Sequence, residues 1–214
     1  MLDLPDLLDW AAPALTPAFE VWGSPVTWLE LVAVVLSVWM VVCNMRVDPW
    51  AWPLAIASSL LYGALFVSSR LYGEATLQLF FVAVSAWGWH QWLRGRGDGG
   101  APLRVHRLPP RARRRVAVAT LAAWPVLGLL LQQATDSDVP FLDALPTVGS
   151  IAGQLLLGRK LIETWPVWVA VNVFSVGLFA LKGLWLTVLL YAMFAAMALL
   201  GWRQWRARLK FSHG

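Results

Sequence analysis

Trp168 and Asn172 stand four residues apart in "WPVWVAVNVFSVGLF" (165–179), a run without a single charged residue. At that spacing two side chains share one face of a helix, and Trp165 lies on the same face. An indole offers a stacking surface, and a primary amide offers both donors and an acceptor. Together they could hold a flat ligand, its ring on Trp168 and its polar edge on Asn172. A lone amide in a membrane helix is costly unless it faces the bundle interior, where it often marks a pathway. The competing role is an interhelical hydrogen bond, commonly worth about 0.6 kcal/mol. Because the Trp and the Asn share a face, binding is the favoured role.

The elements that carry these residues follow from composition. The 214-residue chain is 59% hydrophobic and 14% charged, with 15 tryptophans and a mean hydropathy of +0.62. A soluble domain would be about a quarter charged, and Trp favours the membrane interface. These values indicate an all-α integral membrane protein. A helix crosses the hydrocarbon core with about 20 mostly apolar residues. Seven segments qualify, at roughly 26–43, 50–68, 75–93, 116–133, 143–159, 165–181 and 184–202.

Several other functions are excluded by the same sequence. Cys43 is the only cysteine, and His90, His106 and His213 show no metal-ligand spacing, so neither a metal nor another cofactor is expected. The net charge of +5 does not imply a nucleic-acid partner, because the arginines sit in short segments between apolar runs. With the 94–115 linker placed inside, 15 Lys and Arg fall inside, and only Arg70 and Lys182 fall outside. That asymmetry predicts a multi-pass protein of the lipid bilayer with its N-terminus out and its C-terminus in. Residues 1–25 are acidic; Leu2, Leu4, Leu7, Leu8 and Trp10 suggest a short amphipathic helix on the outer surface rather than a cleaved signal.

The halves overlay at an offset of 113 residues without a gap, giving 13 identities over residues 52–92. Trp52-Pro53 falls on Trp165-Pro166, and "GWHQW" (88–92) falls on "GWRQW" (201–205). The implied organisation is three plus one plus three. Residues 26–93 form the first three-helix bundle, 94–115 a basic cytoplasmic linker and 116–133 a linker transmembrane helix. Residues 143–203 form the second bundle, and 204–214 a cytoplasmic tail. A single intervening helix makes the two repeats parallel, an arrangement used by transporters whose site lies mid-membrane at the repeat interface.

At this offset Asn172 overlays Ser59, Trp168 overlays Ala55 and Tyr191 overlays Gln78. Ser58, Tyr62 and Gln154 are further polar residues within spans. Taken singly each is accounted for by packing; on helices of both repeats they suggest a hydrated cavity. The candidate substrate-binding set is Trp168, Asn172, Gln78, Gln154, Ser59, Tyr191 and Tyr62. The tryptophans at the inner helix ends, Trp89, Trp92, Trp202 and Trp205, are expected to be interfacial anchors. No acid forms a relay through the spans, so passive transport is expected. Without clustered His, Cys or paired acids the chain is not expected to be an enzyme.

Residues 44–92 and 143–206 resemble the PnuC-type nicotinamide riboside transporters, relatives of the SWEET sugar transporters. In the first half the resemblance rests on "WP...SSLLYGALF...RLYGEATLQLFF....WGW..W". In the second it rests on "TVGSIAGQLLLGRKLIETWPVWVAVN" and "KGLWLTVLLY......GWRQW". Trp87 and Thr164 depart from the usual Tyr and Asn, both away from the proposed cavity. The resemblance implies uptake of nicotinamide riboside, an NAD precursor, by facilitated diffusion across the bacterial inner membrane, with phosphorylation inside trapping it. Trp168 would then stack on the cationic pyridinium ring. Asn172 or Gln78 would pair with the carboxamide, and Gln154, Ser59 and Tyr191 with the ribose. The alternative is a SWEET-like sugar uniporter. A homo-oligomer is compatible with the sequence, which does not fix the oligomeric state.

Overall fold

A computed structural model describes residues 16–21, 24–68, 72–97, 100–135, 139–181, 183 and 185–211. After a β-hairpin (β1 Pro17–Val21, β2 Ser24–Thr27) come seven helices. They are α1 Trp28–Arg46, α2 Ala51–Ser68, α3 Tyr72–Arg94, α4 Pro110–Ala134, α5 Pro140–Gly158, α6 Thr164–Leu181 and α7 Trp185–Phe211. α4, α5, α6 and α7 are long and apolar enough to cross a membrane. The chain forms two compact units divided at Trp89/His90, within α3.

In the first unit α1, apolar over most of 31–46, leaves Val35 and Trp39 more than half exposed, as suits a helix with one side in lipid. Its contact with α2 is polar at one point. Ser37 donates to the Ala33 carbonyl (2.8 Å), and Ser58 of α2 lies 2.9 Å from the Ser37 hydroxyl. Trp52, 1% exposed, lies against Gly88 of α3 so closely that a Cβ there would overlap its ring.

Four helices make up most of the second unit. α4 begins at Pro110, six residues before the expected span, because Pro109 and Pro110 suit a helix start. It buries only Gly128, which Phe141 covers, and Trp124 Nε1 donates to the Phe141 carbonyl (2.7 Å). α5 is buried over half its length. Gly149 and Gly153, four residues apart, let α6 approach, a small-residue packing that membrane helices favour where no hydrophobic effect drives them together. Gly149 faces Val171 and Gly153 faces Trp168, while Thr164 Oγ1 donates to the Gly153 carbonyl (2.9 Å). Between α6 and α7, Trp165 closes over Gly201 and meets Trp205 edge-on at 5.4 Å.

The turns after α1 and α5 match bond for bond. Val47 and Lys160, 113 residues apart, both have positive φ, 60° and 53°. The Asp48 N–H donates to Cys43 O (2.9 Å) and the Leu161 N–H to Leu156 O (3.0 Å). These are the long bonds of a Schellman C-cap. The next helices start alike, with Ala51 N–H donating to Asp48 O and Thr164 N–H to Leu161 O, both at 3.1 Å.

The structure refines three expectations. The leucines of the expected surface helix, Leu2 to Leu8, and Trp10 lie outside the described residues, and Pro17–Val21 pairs with Ser24–Thr27 as an antiparallel hairpin, so that α1 starts at Trp28 rather than at 26. The two strands hold Phe19, Val21, Val26 and Thr27, residues suited to strands. Second, part of the 94–115 linker is tied to the turn between α5 and α6. A parallel bridge joins His106 to Leu161, Lys160 Nζ donates to the Leu103 carbonyl (3.0 Å), and the Glu163 carboxylate accepts from the Leu108 N–H and pairs with Arg113 at 2.9 Å. Third, Trp92 and Trp205 are packed residues rather than interfacial anchors, at 6% and 0% exposure. Trp92 Nε1 donates to the Leu157 carbonyl (3.0 Å), and the two rings lie 6.3 Å apart.

Candidate functional site

α6 places Trp168 and Asn172 one turn apart, as their spacing requires. Trp168 is half-buried. Its indole crosses Gly153 of α5, where a Cβ would stand 3.1 Å from Cε2 and from Nε1. Asn172 is 5% exposed, beside Val171 at 7% and Ser175 at 1%. Gln154 follows Gly153 on α5 and is 8% exposed. The close approach of the helices thus brings Trp168 against the segment that carries Gln154. Tyr191 of α7 stacks on Phe179 of α6 at 5.1 Å and meets the edge of Phe194 at 6.5 Å. Its ring therefore serves the packing of α7 on α6.

In the first unit Ser59 and Tyr62 of α2 and Gln78 of α3 are half-buried. Gly63 lets α3 approach, with Gln78 Cβ 3.5 Å from where a glycine substituent would stand. Tyr62 and Gln78 therefore flank one α2–α3 seam. Ser58, beside Ser59, is fixed in the α1–α2 contact described above.

Sequence reasoning passed over Ser175. It lies three residues beyond Asn172 and overlays Tyr62 at the 113-residue offset, a signal that was available. Ser85 of α3, 1% exposed, was also passed over.

The electrostatic character of this region is simple. α6 holds no charged residue, α5 holds only Asp143 in its first turn, and α7 holds none before Arg203. Among the described residues no group of three His, Cys, Asp or Glu could hold a metal ion. What remains is aromatic faces, amides and hydroxyls, which suit a ligand that stacks and hydrogen-bonds and do not suit bond chemistry.

The family profile described as nicotinamide mononucleotide transporter matches residues 27–207. The nicotinamide riboside transporter PnuC of Escherichia coli is 33% identical over 169 residues, 68% of this chain and 71% of that protein. The riboflavin/roseoflavin transporter RibM of Streptomyces davaonensis is 31% identical over 195 residues, 89% of this chain and 90% of that one. A crystal structure of the vitamin B3 transporter PnuC superposes with a TM-score of 0.69 at 26% identity, covering 86% of this chain and 82% of that chain. These relationships, on a chain with four membrane-length helices, place it in the nicotinamide mononucleotide transporter family, as a multi-pass bacterial membrane transporter and not an enzyme.

Proposed function

We propose that the chain imports nicotinamide riboside across the bacterial inner membrane by facilitated diffusion, its N-terminus outside and its C-terminus inside. Phosphorylation in the cytoplasm would retain the product. The observation that carries the reading is the similarity to nicotinamide riboside transporters over most of the chain. The lack of basic residues on α5 and α6 supports the riboside over the mononucleotide. Among the described residues of those helices no Lys or Arg could meet a phosphate, and burying an unpaired charge is prohibitive. A pyridinium, by contrast, can be held by an indole face.

In this reading Trp168 stacks on the pyridinium and Asn172 or Gln78 pairs with the carboxamide. Gln154, Ser59 and Tyr191 pair with ribose hydroxyls, and Tyr62 completes the candidate set. The architecture is two parallel three-helix repeats joined by α4, supported by the matched turns at Val47 and Lys160 and by the matched Trp–Gly contacts. A homo-oligomer is compatible with this arrangement.

A second reading is favoured by one observation: the riboflavin transporter aligns over more of the chain than the Escherichia coli protein does. Proteoliposomes loaded by labelled nicotinamide riboside separate the two. Uptake that excess unlabelled riboside abolishes, and that the mononucleotide, riboflavin and glucose leave intact, is expected. Uptake of riboflavin with none of the riboside would overturn the first reading.

A further inference from the structure

The last turns of α7 and the 105–107 segment enclose a groove of about 1090 Å³ in the second unit. His106 and Arg107 stand on one wall; Arg203, Arg206 and Lys210 stand on the other. The last three recur at i, i+3 and i+7, so one helical face carries them all. Among the described residues no Asp or Glu lines the groove.

Basic residues near a helix C-terminus, or flanking a membrane span, are ordinary one at a time. A fixed opposing wall is not accounted for in that way. The His106 N–H donates to the Lys160 carbonyl (3.1 Å), and the Ile162 N–H donates to the His106 carbonyl (3.0 Å). Nδ1 of His106 donates to the Arg104 carbonyl (3.0 Å), which fixes the ring. The Arg206 guanidinium is held 4.7 Å over the Trp202 ring. Like charges are thus positioned around one concavity, where an anion relieves their repulsion.

Depth identifies the anion. α7 is 27 residues long, about 40 Å at 1.5 Å per residue, whereas the hydrocarbon core is about 30 Å thick. Counted from Trp185, a core of about 20 residues ends near Gln204, and Arg206 and Lys210 lie within the next two turns. That is the level of lipid headgroups. Val105, Ala207 and Leu209 add apolar lining beside the charges, which suits an amphiphile better than a free ion. We propose that this groove binds the phosphate headgroup of an anionic phospholipid, as basic pockets beside membrane helices can.

The test compares phosphatidylglycerol with phosphatidylcholine of the same chain length, titrated into the full-length protein in detergent and read by native mass spectrometry. The wild type is expected to favour phosphatidylglycerol by about tenfold or more, about the contribution of two such cations. The triple variant R203Q/R206Q/K210Q is expected to lose that preference to within about threefold. R111Q/R114Q/R115Q, which removes three charges from α4 outside the groove, is expected to keep it. R107Q, on the opposite wall, supplies a second variant should the α7 triple not fold, and is expected to lower the preference as well. Equal loss in the α4 and α7 triples, or no preference in the wild type, overturns the proposal. Saturation by inorganic phosphate without any lipid preference overturns the lipid assignment and points to a soluble phosphate ligand.

Discussion

The indole of Trp168 lies over Gly153, so closely that a Cβ on that glycine would stand 3.1 Å from two of its ring atoms. The contact fixes the proposed stacking surface from the neighbouring helix. Gly153→Ala must therefore move the ring by a few tenths of an ångström. The expected result is a threefold to tenfold weaker affinity for nicotinamide riboside, roughly the loss of part of a cation–π contact. Stability should change by no more than about 1 kcal/mol, because the half-buried indole has room to yield. Calorimetric titration in detergent decides it, and unchanged affinity removes Trp168 from the site.

Truncating the proposed binding residues themselves should cost more. Trp168→Ala is expected to weaken riboside binding about tenfold or more, the scale of a desolvated cation–π contact. Asn172→Ala should cost a similar factor, the scale of one buried hydrogen bond. Trp168→Phe, which keeps an aromatic face, should fall between. If all three titrate like wild type, the site lies elsewhere.

Gly88 and Gly201 occupy matching places under Trp52 and Trp165, and a Cβ at either would overlap an indole that is almost fully buried. Gly88→Ala and Gly201→Ala are each expected to destabilise the protein by about 1–3 kcal/mol through overpacking. Thermal unfolding in detergent should show comparable shifts for the two. A large loss at only one position would argue against equivalent packing in the two units.

Glu163 ties the 103–113 segment to the α5–α6 turn through Arg113 and the Leu108 N–H. Arg113 is 55% exposed, so the ion pair by itself is worth less than about 1 kcal/mol. Glu163→Gln should accordingly leave the melting temperature nearly unchanged while speeding amide exchange over residues 104–110. Exchange indistinguishable from wild type would show that the Lys160 and Leu161 contacts suffice.

Lys160 supplies a pH dependence. Burial lowers the pKa of its ammonium from the usual 10.5. Between that lowered folded value and the unfolded one, the unfolded chain holds the extra proton, so stability rises with pH there. Below the folded value both states are protonated and this contribution is flat. Lys160→Met is expected to abolish the alkaline rise, read from chemical unfolding at a series of pH values. An identical slope in the variant would mean that another group is responsible.

The sequence by itself determined the number of helices, most of their bounds to within a few residues, the 113-residue offset and the shared face of Trp168 and Asn172. These are local properties: an apolar run must be long enough to satisfy its own backbone in lipid, and helical period fixes which side chains share a face. Only the tertiary structure decided that Trp92 and Trp205 are buried and that Gly153 meets Trp168. It also decided that His106 pairs with Leu161 and that Pro17–Val21 pairs with Ser24–Thr27. In the first three cases the partner is distant in the chain and chosen by shape: a ring settles where a missing side chain leaves room, and a backbone strand settles where free N–H and C=O groups await it. In the hairpin, composition gave a preference, and cross-strand pairing made it a structure.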